Sequence, residues 1–396
     1  MRSEGVPPNE VSFSSAMTAC GRSGRWKEAL GLLHRMRRDG VEPNVTNYTA
    51  AADACARSGE WQRAEALLGV MRQRGVRPNA ITHNAVITAL GRGGEWERAL
   101  GLLRGMSAAP PRGGGVRPNV NSFSAAVTAC GDAGQWERAL EVLNQMRAEG
   151  IRGDSVVYTA AIDACANGRP PQGAQWQEAL GLLEQMREEG VDPTVHSFSA
   201  AITACSKGGQ WRRAVGLLGE MQAAGVPPNE VSFNAAINAC ARAGQWESAV
   251  SLLHDMRALG VCPGTITFNS AIAACGRGGR WELASALLRE MTGRKGQGGG
   301  GWGAPPADVV SYGTAIDACT RVGRWEEALA ILKELGNDVG ATHVGEEGAE
   351  LGPQGGGMQK VVLGPGDISR FESVFDRCAN GDIKQRAEVV LTSLKQ

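Results

Sequence analysis

Small side chains that donate or accept hydrogen bonds recur in two series along this 396-residue chain. One series is Ser14, Thr49, Asn84, Ser124, Thr159, Ser199, Asn234 and Asn269; the other is Asn44, Asn79, Asn119, Asp154, Thr194, Asn229, Gly264 and Asp308. Their neighbours are nearly fixed from one occurrence to the next, whereas these places toggle among small, mostly polar types. A core position would be apolar, and a freely solvated one would carry Glu and Lys. The chemistry open to such groups is discrimination by donor and acceptor pattern, since Asp only accepts whereas Asn also donates. Eight residues after the first series stand Arg22, Arg57, Arg92, Lys207, Arg242, Arg277 and Arg321, with Asp132 and Asn167 breaking the run. On a helix that spacing keeps the cation on the same face, near two turns further on.

Other chemistries find no support. No nucleophile, base and orienting group recur together, and no carboxylate cluster suggests a metal-dependent nuclease. The Gly-rich stretches lack the Lys-Ser/Thr that completes a phosphate-binding loop. The five His (His34, His83, His196, His254 and His343) have no ligand spacing. Most of the ten Cys lie about 35 residues apart and no CxxC occurs, which suits neither zinc nor a disulfide scaffold. The thiols read as small apolar fillers in a reducing compartment. The expectation is a non-enzyme without metal or cofactor. No apolar run reaches membrane-spanning length, and neither a secretory signal nor an Arg-rich leader opens the sequence. Lys+Arg and Asp+Glu are both 41, so a globally basic surface is excluded and the placement of charge matters more than its sum.

The elements that must position these groups are repeated. Units run 10–44, 45–79, 80–119, 120–154, 155–194, 195–229, 230–264 and 265–308, with an incomplete ninth at 309–337. Most are 35 residues long; the longer ones carry their extra residues in Gly/Pro-rich patches, Ser107–Gly115, Asn167–Ala174 and Thr292–Pro306, which mark loops. In each unit a first apolar stripe, such as Phe13, Met17 and Cys20, is followed by Gly and then by a second, Trp26, Ala29, Leu30, Leu33 and Met36. Both have helical spacing, and a Gly-Val-x-Pro-Asn segment such as Gly75–Asn79 stops the second helix. A two-helix unit cannot bury both stripes alone, so the fold class is all-α, an α-solenoid of helix–turn–helix repeats winding into a superhelix. Nine of the ten Trp open second helices and read as inter-helix packing; Trp302 stands apart in a Gly-rich insertion. Interior glycines such as Gly31, Gly101 and Gly181 are expected to let helices approach closely.

The ends carry less pattern. Residues 1–9 look like the end of a preceding repeat, comparable to Met221–Asn229, so the array is expected to extend upstream. Residues 338–366 read as a Gly-rich flexible linker. In 367–396, Phe371, Cys378, Ala387, Leu391 and Leu394 keep the mutual spacing of Phe13, Cys20, Ala29, Leu33 and Met36, giving a degenerate helical repeat or cap in which Lys384 replaces the Trp.

A 35-residue unit ending in Pro-Asn or Pro-Asp, with Val-x-Phe/Tyr-Asn/Ser/Thr near its start, resembles the pentatricopeptide repeat family in its P-type form. The likeness covers residues 1–337 and, more weakly, 367–396. The tetratricopeptide pattern, with a 34-residue period and Gly-x-x-Tyr early in the unit, fits poorly.

The resemblance implies a sequence-specific binder of single-stranded RNA, one base per repeat. It implies that the fifth and last residues of each unit read a base: Ser14/Asn44, Thr49/Asn79, Asn84/Asn119, Ser124/Asp154, Thr159/Thr194, Ser199/Asn229, Asn234/Gly264 and Asn269/Asp308. An acceptor-only Asp suits the ring N–H of G or U, Asn the bare ring nitrogen of A or C; Ser or Thr at the fifth place goes with purine and Asn with pyrimidine. The implied 5′ to 3′ reading is A, A, pyrimidine, G, open, A, open, U. Thr194 and Gly264 leave their two units open, and Gly313 in the ninth offers no side chain. Second residues would sandwich the bases: Val11, Ile81, Val156, Val231, Ile266 and Val310 match, whereas Thr46, Asn121 and His196 depart. The cation series would line the groove as phosphate contacts, and acidic residues such as Glu97, Glu137, Glu178, Glu184 and Glu188 would mark the opposite wall. The resemblance also implies a monomer in a mitochondrion or chloroplast, serving organellar RNA processing, stability or translation, with RNA-processing enzymes as further partners and no membrane. For the hydroxyl and amide groups the competing structural role is helix N-capping. For the whole chain the alternative function is a protein-binding helical-repeat scaffold.

Overall fold

A computed structural model describes residues 9–107, 116–168, 175–293, 305–340 and 364–394. Residues 1–8, Trp302, His343, most of the linker and the centres of the three insertion patches lie outside the described residues. What is described is all-helical and divides into two compact units, residues 1–204 and 205–396.

In the first unit, first-position helices α1 (Glu10–Arg22), α3 (Val45–Arg57), α5 (Ala80–Arg92), α7 (Val120–Asp132) and α9 (Ser155–Ala166) pack side by side in chain order. Second-position helices α2 (Trp26–Arg38), α4 (Trp61–Gln73), α6 (Trp96–Ser107) and α8 (Trp136–Ala148) each wedge between their own first helix and the next; α10 (Trp176–Glu188) packs on α9. The next first-position helix, α11, is Val195–Lys207. In the second unit, α12 (Trp211–Ala223), α14 (Trp246–Ala258) and α16 (Trp281–Met291) pack in the same way on α13 (Glu230–Arg242), α15 (Thr265–Arg277) and α17 (Val309–Arg321). Helix α18 (Trp325–Gly340) follows α17, and α19 (Pro365–Phe375) and α20 (Gly381–Ser393) pack against each other, on α17 and α18 respectively. Each unit is an α-solenoid. Two boundaries differ from the sequence-based expectation. Helix α18 continues three residues into the segment read as linker, and α19 begins with Pro365, whose fixed φ suits the first turn of a helix.

The elements end where the residue types dictate. The last residue of each repeat is the N-cap of the next first helix: the side-chain oxygens of Asn9, Asn79 and Asn229 accept the N–H of Ser12, Thr82 and Ser232. At the hairpin turn Gly24 has φ 70°, and the Arg25 N–H reaches back to the Cys20 carbonyl at 2.9 Å. That 6→1 bond closes the helix end and needs a residue tolerant of positive φ.

The core is built from the predicted stripes. Phe123, Val127 and Cys130 are fully buried, as are Ala139 and Met146 on the next helix. Burial drives the Cys130 and Cys165 thiols up to about 11 and about 12, so at neutral pH they are inert apolar fillers. The Trp series is half-buried and joins repeats. Trp61 lies against Gly93 in the next repeat's turn, with the Arg98 guanidinium 4.7 Å from its ring; Trp246, Gly278 and Arg280 repeat this at 4.8 Å.

One expectation fails. Gly31, Gly101 and Gly181 face open space, with nothing within 4 Å of where a Cβ would stand. The close approach is made instead by glycines near the ends of first helices. A Cβ on Gly91 would lie 2.7 Å from Ala129 Cβ, and one on Gly276 2.7 Å from Ala318 Cβ. The sequence pattern marks both kinds of glycine as interior, but only the second lies on the face shared by first helices. Gly91→Ala should therefore cost about 1–3 kcal/mol through overpacking. Gly31→Ala, on an exposed helix face, should gain roughly 0.5–1 kcal/mol. Urea midpoints of the two variants moving the same way would contradict this. Among the described cysteines, exposed Cys262 should be alkylated first by iodoacetamide, while Cys130 and Cys165 stay protected until the chain unfolds; peptide mass mapping at neutral pH checks the order.

Candidate nucleic-acid interface

The second, fifth, ninth and thirteenth residues of a first helix fall on one face. The second residues are conspicuous: Val11, Ile81, Val156, Val231, Ile266 and Val310 are between 51% and 70% exposed. Burial normally claims such side chains, and three exposed at equivalent places in each unit mark a surface suited to an apolar partner. Thr46, Asn121 and His196, the departures from that row, are exposed as well.

Between Val156 and His196 lies a groove of about 570 Å³, lined also by Thr128, Asp132, Thr159, Asp163, Asn167 and Thr194. The fold thus brings a fifth residue (Thr159), a last residue (Thr194) and two second residues into one slot. Its lining combines an apolar and an imidazole side chain with small polar groups and two carboxylates, Asp132 and Asp163.

The fifth residues are held by groups that the sequence pattern did not single out. In five repeats the third residue is buried and polar, and it meets the fifth residue of the repeat before. Asn47 Nδ2 donates to Ser14 Oγ at 2.7 Å, Thr49 and Thr82 hydroxyls lie 2.7 Å apart, Ser122 donates to Asn84 Oδ1 at 2.6 Å, Thr159 and Ser197 are 2.8 Å apart, and Thr267 donates to Asn234 Oδ1 at 2.5 Å. For Asn84 the amide oxygen is thus engaged on one side and its Nδ2 on the other, toward Asn119. The available signal was a small polar residue recurring just before the buried aromatic, a place where an apolar pattern would not put one.

Ser124 departs. The third residue of its following repeat is Val157, which cannot bond, and the Ser124 hydroxyl is buried without a partner. The Ser199 hydroxyl is likewise buried and unpartnered. At 8% and 7% exposure these residues are buried, with the oxygen below the surface.

The last residues serve as caps first. Asp154 Oδ1 accepts the N–H groups of Val156 and Val157 at 3.1 and 2.9 Å, and Asp308 Oδ1 accepts that of Ser311 at 2.8 Å. Capping and base reading are compatible, since an Asn or Asp uses one oxygen for the helix and keeps its second group. In two repeats the fifth and last side chains touch directly: Asn84 Nδ2 donates to Asn119 Oδ1 at 3.3 Å, and Asn269 Nδ2 to Asp308 Oδ1 at 3.2 Å. Asn44 gives its amide to Glu10 Oε2 at 2.8 Å. Thr194 caps weakly, its hydroxyl 3.3 Å from the Ser197 nitrogen, and Gly264 offers no side chain. In the ninth repeat Arg370 of α19 fills the space beside Gly313, 3.5 Å from where a Cβ would stand, and its Nη2 pairs with Asp317 at 2.7 Å. A guanidinium thus stands where the sequence showed nothing.

All seven cations of the series are exposed. Some also bond within the protein. Arg57 pairs with Asp53 at 2.9 Å; Arg92 and Arg277 each give a guanidinium N–H to the end of the preceding first helix, at Ala56 O (3.2 Å) and Ala241 O (2.8 Å). Each guanidinium has donors to spare after one such bond. Asp132 and Asn167 line the groove where the basic series lapses. Among the described residues no cluster of His, Cys, Asp and Glu could hold a metal ion, and no helix is long and apolar enough to cross a membrane.

This repeated arrangement has a known counterpart. Sequence models match as a pentatricopeptide repeat domain over residues 31–93, as the pentacotripeptide-repeat region of PRORP over 119–270, and as the PPR repeat over 11–41, 81–109, 266–295 and 310–338. The chain belongs to the pentatricopeptide repeat family. Among solved structures it is similar to the pentatricopeptide repeat protein PPR10 from maize, at 21% identity and TM-score 0.55, covering 100% of this chain and 60% of that one. It is similar also to a cysteine-substituted PPR10 in complex with an 18-nucleotide psaJ RNA element, at 20% identity and TM-score 0.65, covering 84% and 46%. The chain therefore spans about half to three-fifths of the length of these proteins, and identities this low speak for the fold. No curated protein matches the chain.

The buried polar contacts predict opposite outcomes at two equivalent places in these pentatricopeptide repeats. Thr49→Ala removes a paired hydroxyl and leaves that of Thr82 with Asn79 alone, which should cost about 0.5–1.5 kcal/mol. Ser124→Ala removes an unpartnered one and should be neutral or stabilising. Denaturant midpoints of the two variants check this.

Proposed function

We propose that this pentatricopeptide repeat chain binds single-stranded RNA, one base per repeat, and acts in organellar RNA processing, stability or translation. The observation that carries the reading is the slot bounded by Val156 and His196 and floored by Thr159 and Thr194, repeated in outline by the exposed second residues of other repeats. Unstacked bases seek flat apolar contact on their faces and hydrogen-bond partners on their edges, and each such slot supplies both. The exposed Arg and Lys series supplies partners for phosphates. The RNA in the related PPR10 complex supports the choice of ligand.

The chain's own residues would act by positioning. Second residues hold a ring between neighbouring repeats, and the fifth and last residues select it. The strand, once held open and covered, would be shielded from nucleases or presented to a processing enzyme. Organelle residence, in a mitochondrion or chloroplast, and action as a monomer are parts of the same proposal.

Asp154→Asn tests the reading. The carboxylate accepts from a ring N–H and the amide donates to a bare ring nitrogen, so the fourth repeat should shift from G toward A. Competition binding with strands differing only at that base should show the order inverting by about tenfold. Affinity should fall steeply with salt. Salt-insensitive binding, or an unmoved base preference, would favour a protein-binding scaffold instead.

A further inference from the structure

The seventh repeat has a reading residue at its fifth place, Asn234, and none at its last, which is Gly264. The space is occupied all the same. Glu230, the first residue of that repeat, folds its Oε1 into the position where a Gly264 side chain would begin. Glu230 is exposed on the groove side of α13, one turn before Asn234. The same reach occurs once more, in the first repeat, where Glu10 also stands at the first place. Its Oε2 lies 2.8 Å from Nδ2 of Asn44, that repeat's last residue. Two glutamates at equivalent places, in separate parts of the array, thus extend to the last residue of their own repeat.

We propose that Glu230 completes the seventh slot in place of the missing side chain and makes that slot select uracil. This rests on the RNA-binding reading above. The chemistry follows from the groups. Thr267 donates to Asn234 Oδ1 at 2.5 Å, which occupies the amide oxygen and leaves Nδ2 as the group for a base. Glu230 offers a carboxylate, which only accepts. The repeat therefore offers one donor, from its fifth residue, and one acceptor, at its last place. Uracil and guanine each present a matching edge, a carbonyl oxygen for the amide and the ring N–H for the carboxylate, and Asn at the fifth place, which the family resemblance pairs with pyrimidine, leaves uracil. Cytosine lacks the ring proton, so its N3 lone pair would face the carboxylate. Gly264 has a purpose in this arrangement: any Cβ there would displace the Glu230 oxygen. The carboxylate also lies near the N-terminus of α15, where negative charge is favourable. A role confined to helix stability would leave base choice untouched.

The test is competition binding of the full chain to four strands of the form 5′-AACGAAXU-3′, with X as each base. The unaltered chain should prefer X = U over X = C by about tenfold. Glu230→Gln exchanges an acceptor for a group that also donates, and should level or invert that ratio. The double variant Glu230→Gln, Gly264→Asp places a carboxylate at the last position itself and should restore the preference for U. Tight binding with no U-over-C preference, or with a ratio that Glu230→Gln does not move, would overturn the inference and leave the RNA-binding reading standing. Failure of the unaltered chain to bind any of the four strands would overturn that reading and this inference with it.

Discussion

Close contact between successive first helices governs everything else in each unit. The interface is made of Ala, Cys and Gly, with Gly91 against Ala129 and Gly131 against Ala164 approaching so tightly that a methyl group barely fits or does not. At that separation the backbone of one helix lies beside the side chains of the next. The third residue of one repeat then reaches the fifth residue of the repeat before it, as Ser122 reaches Asn84. Arg92 can also close the end of the helix before its own. Several of these polar contacts are therefore a by-product of packing: buried polar groups need partners, and in five repeats the next repeat supplies one.

Charge follows the same division of faces. Cations gather at the C-terminal ends of first helices, where they also complement the helix dipole, while Glu97, Glu137 and Glu178 lie exposed in the first turns of second helices. A net charge of zero is thus compatible with a basic seam on one face. The seam lapses at Asp132 and Asn167, beside the slot of Thr159 and Thr194.

The fold was legible because it repeats. A single occurrence of Phe13, Met17 and Cys20 would be an ambiguous stripe, but nine occurrences with fixed punctuation define two helices and a turn. Site positions were legible only as places of variation among fixed neighbours. Their surroundings were not. Nothing in the one-dimensional pattern separates Gly31, on an open face, from Gly91, pressed against Ala129, because both are interior helical glycines. The third-residue polar groups look like ordinary pattern until the neighbouring repeat is placed beside them. Contacts between residues far apart in sequence and specific to one repeat, such as Arg370 with Asp317, carry no period. The buried, unpartnered hydroxyls of Ser124 and Ser199 are likewise particular to their repeats and appear only when the helices meet.

The last residue of each repeat caps the next helix, and this limits how the array can be reprogrammed. Only a few residue types cap well, chiefly Asn, Asp, Ser and Thr, with Gly tolerated, and others forfeit about 1 kcal/mol. On the proposed reading, any selector at that place must be drawn from this short alphabet. A recoded array therefore trades letters within a vocabulary set by helix physics, and a designer who steps outside it would weaken the scaffold at every altered repeat before gaining a new specificity.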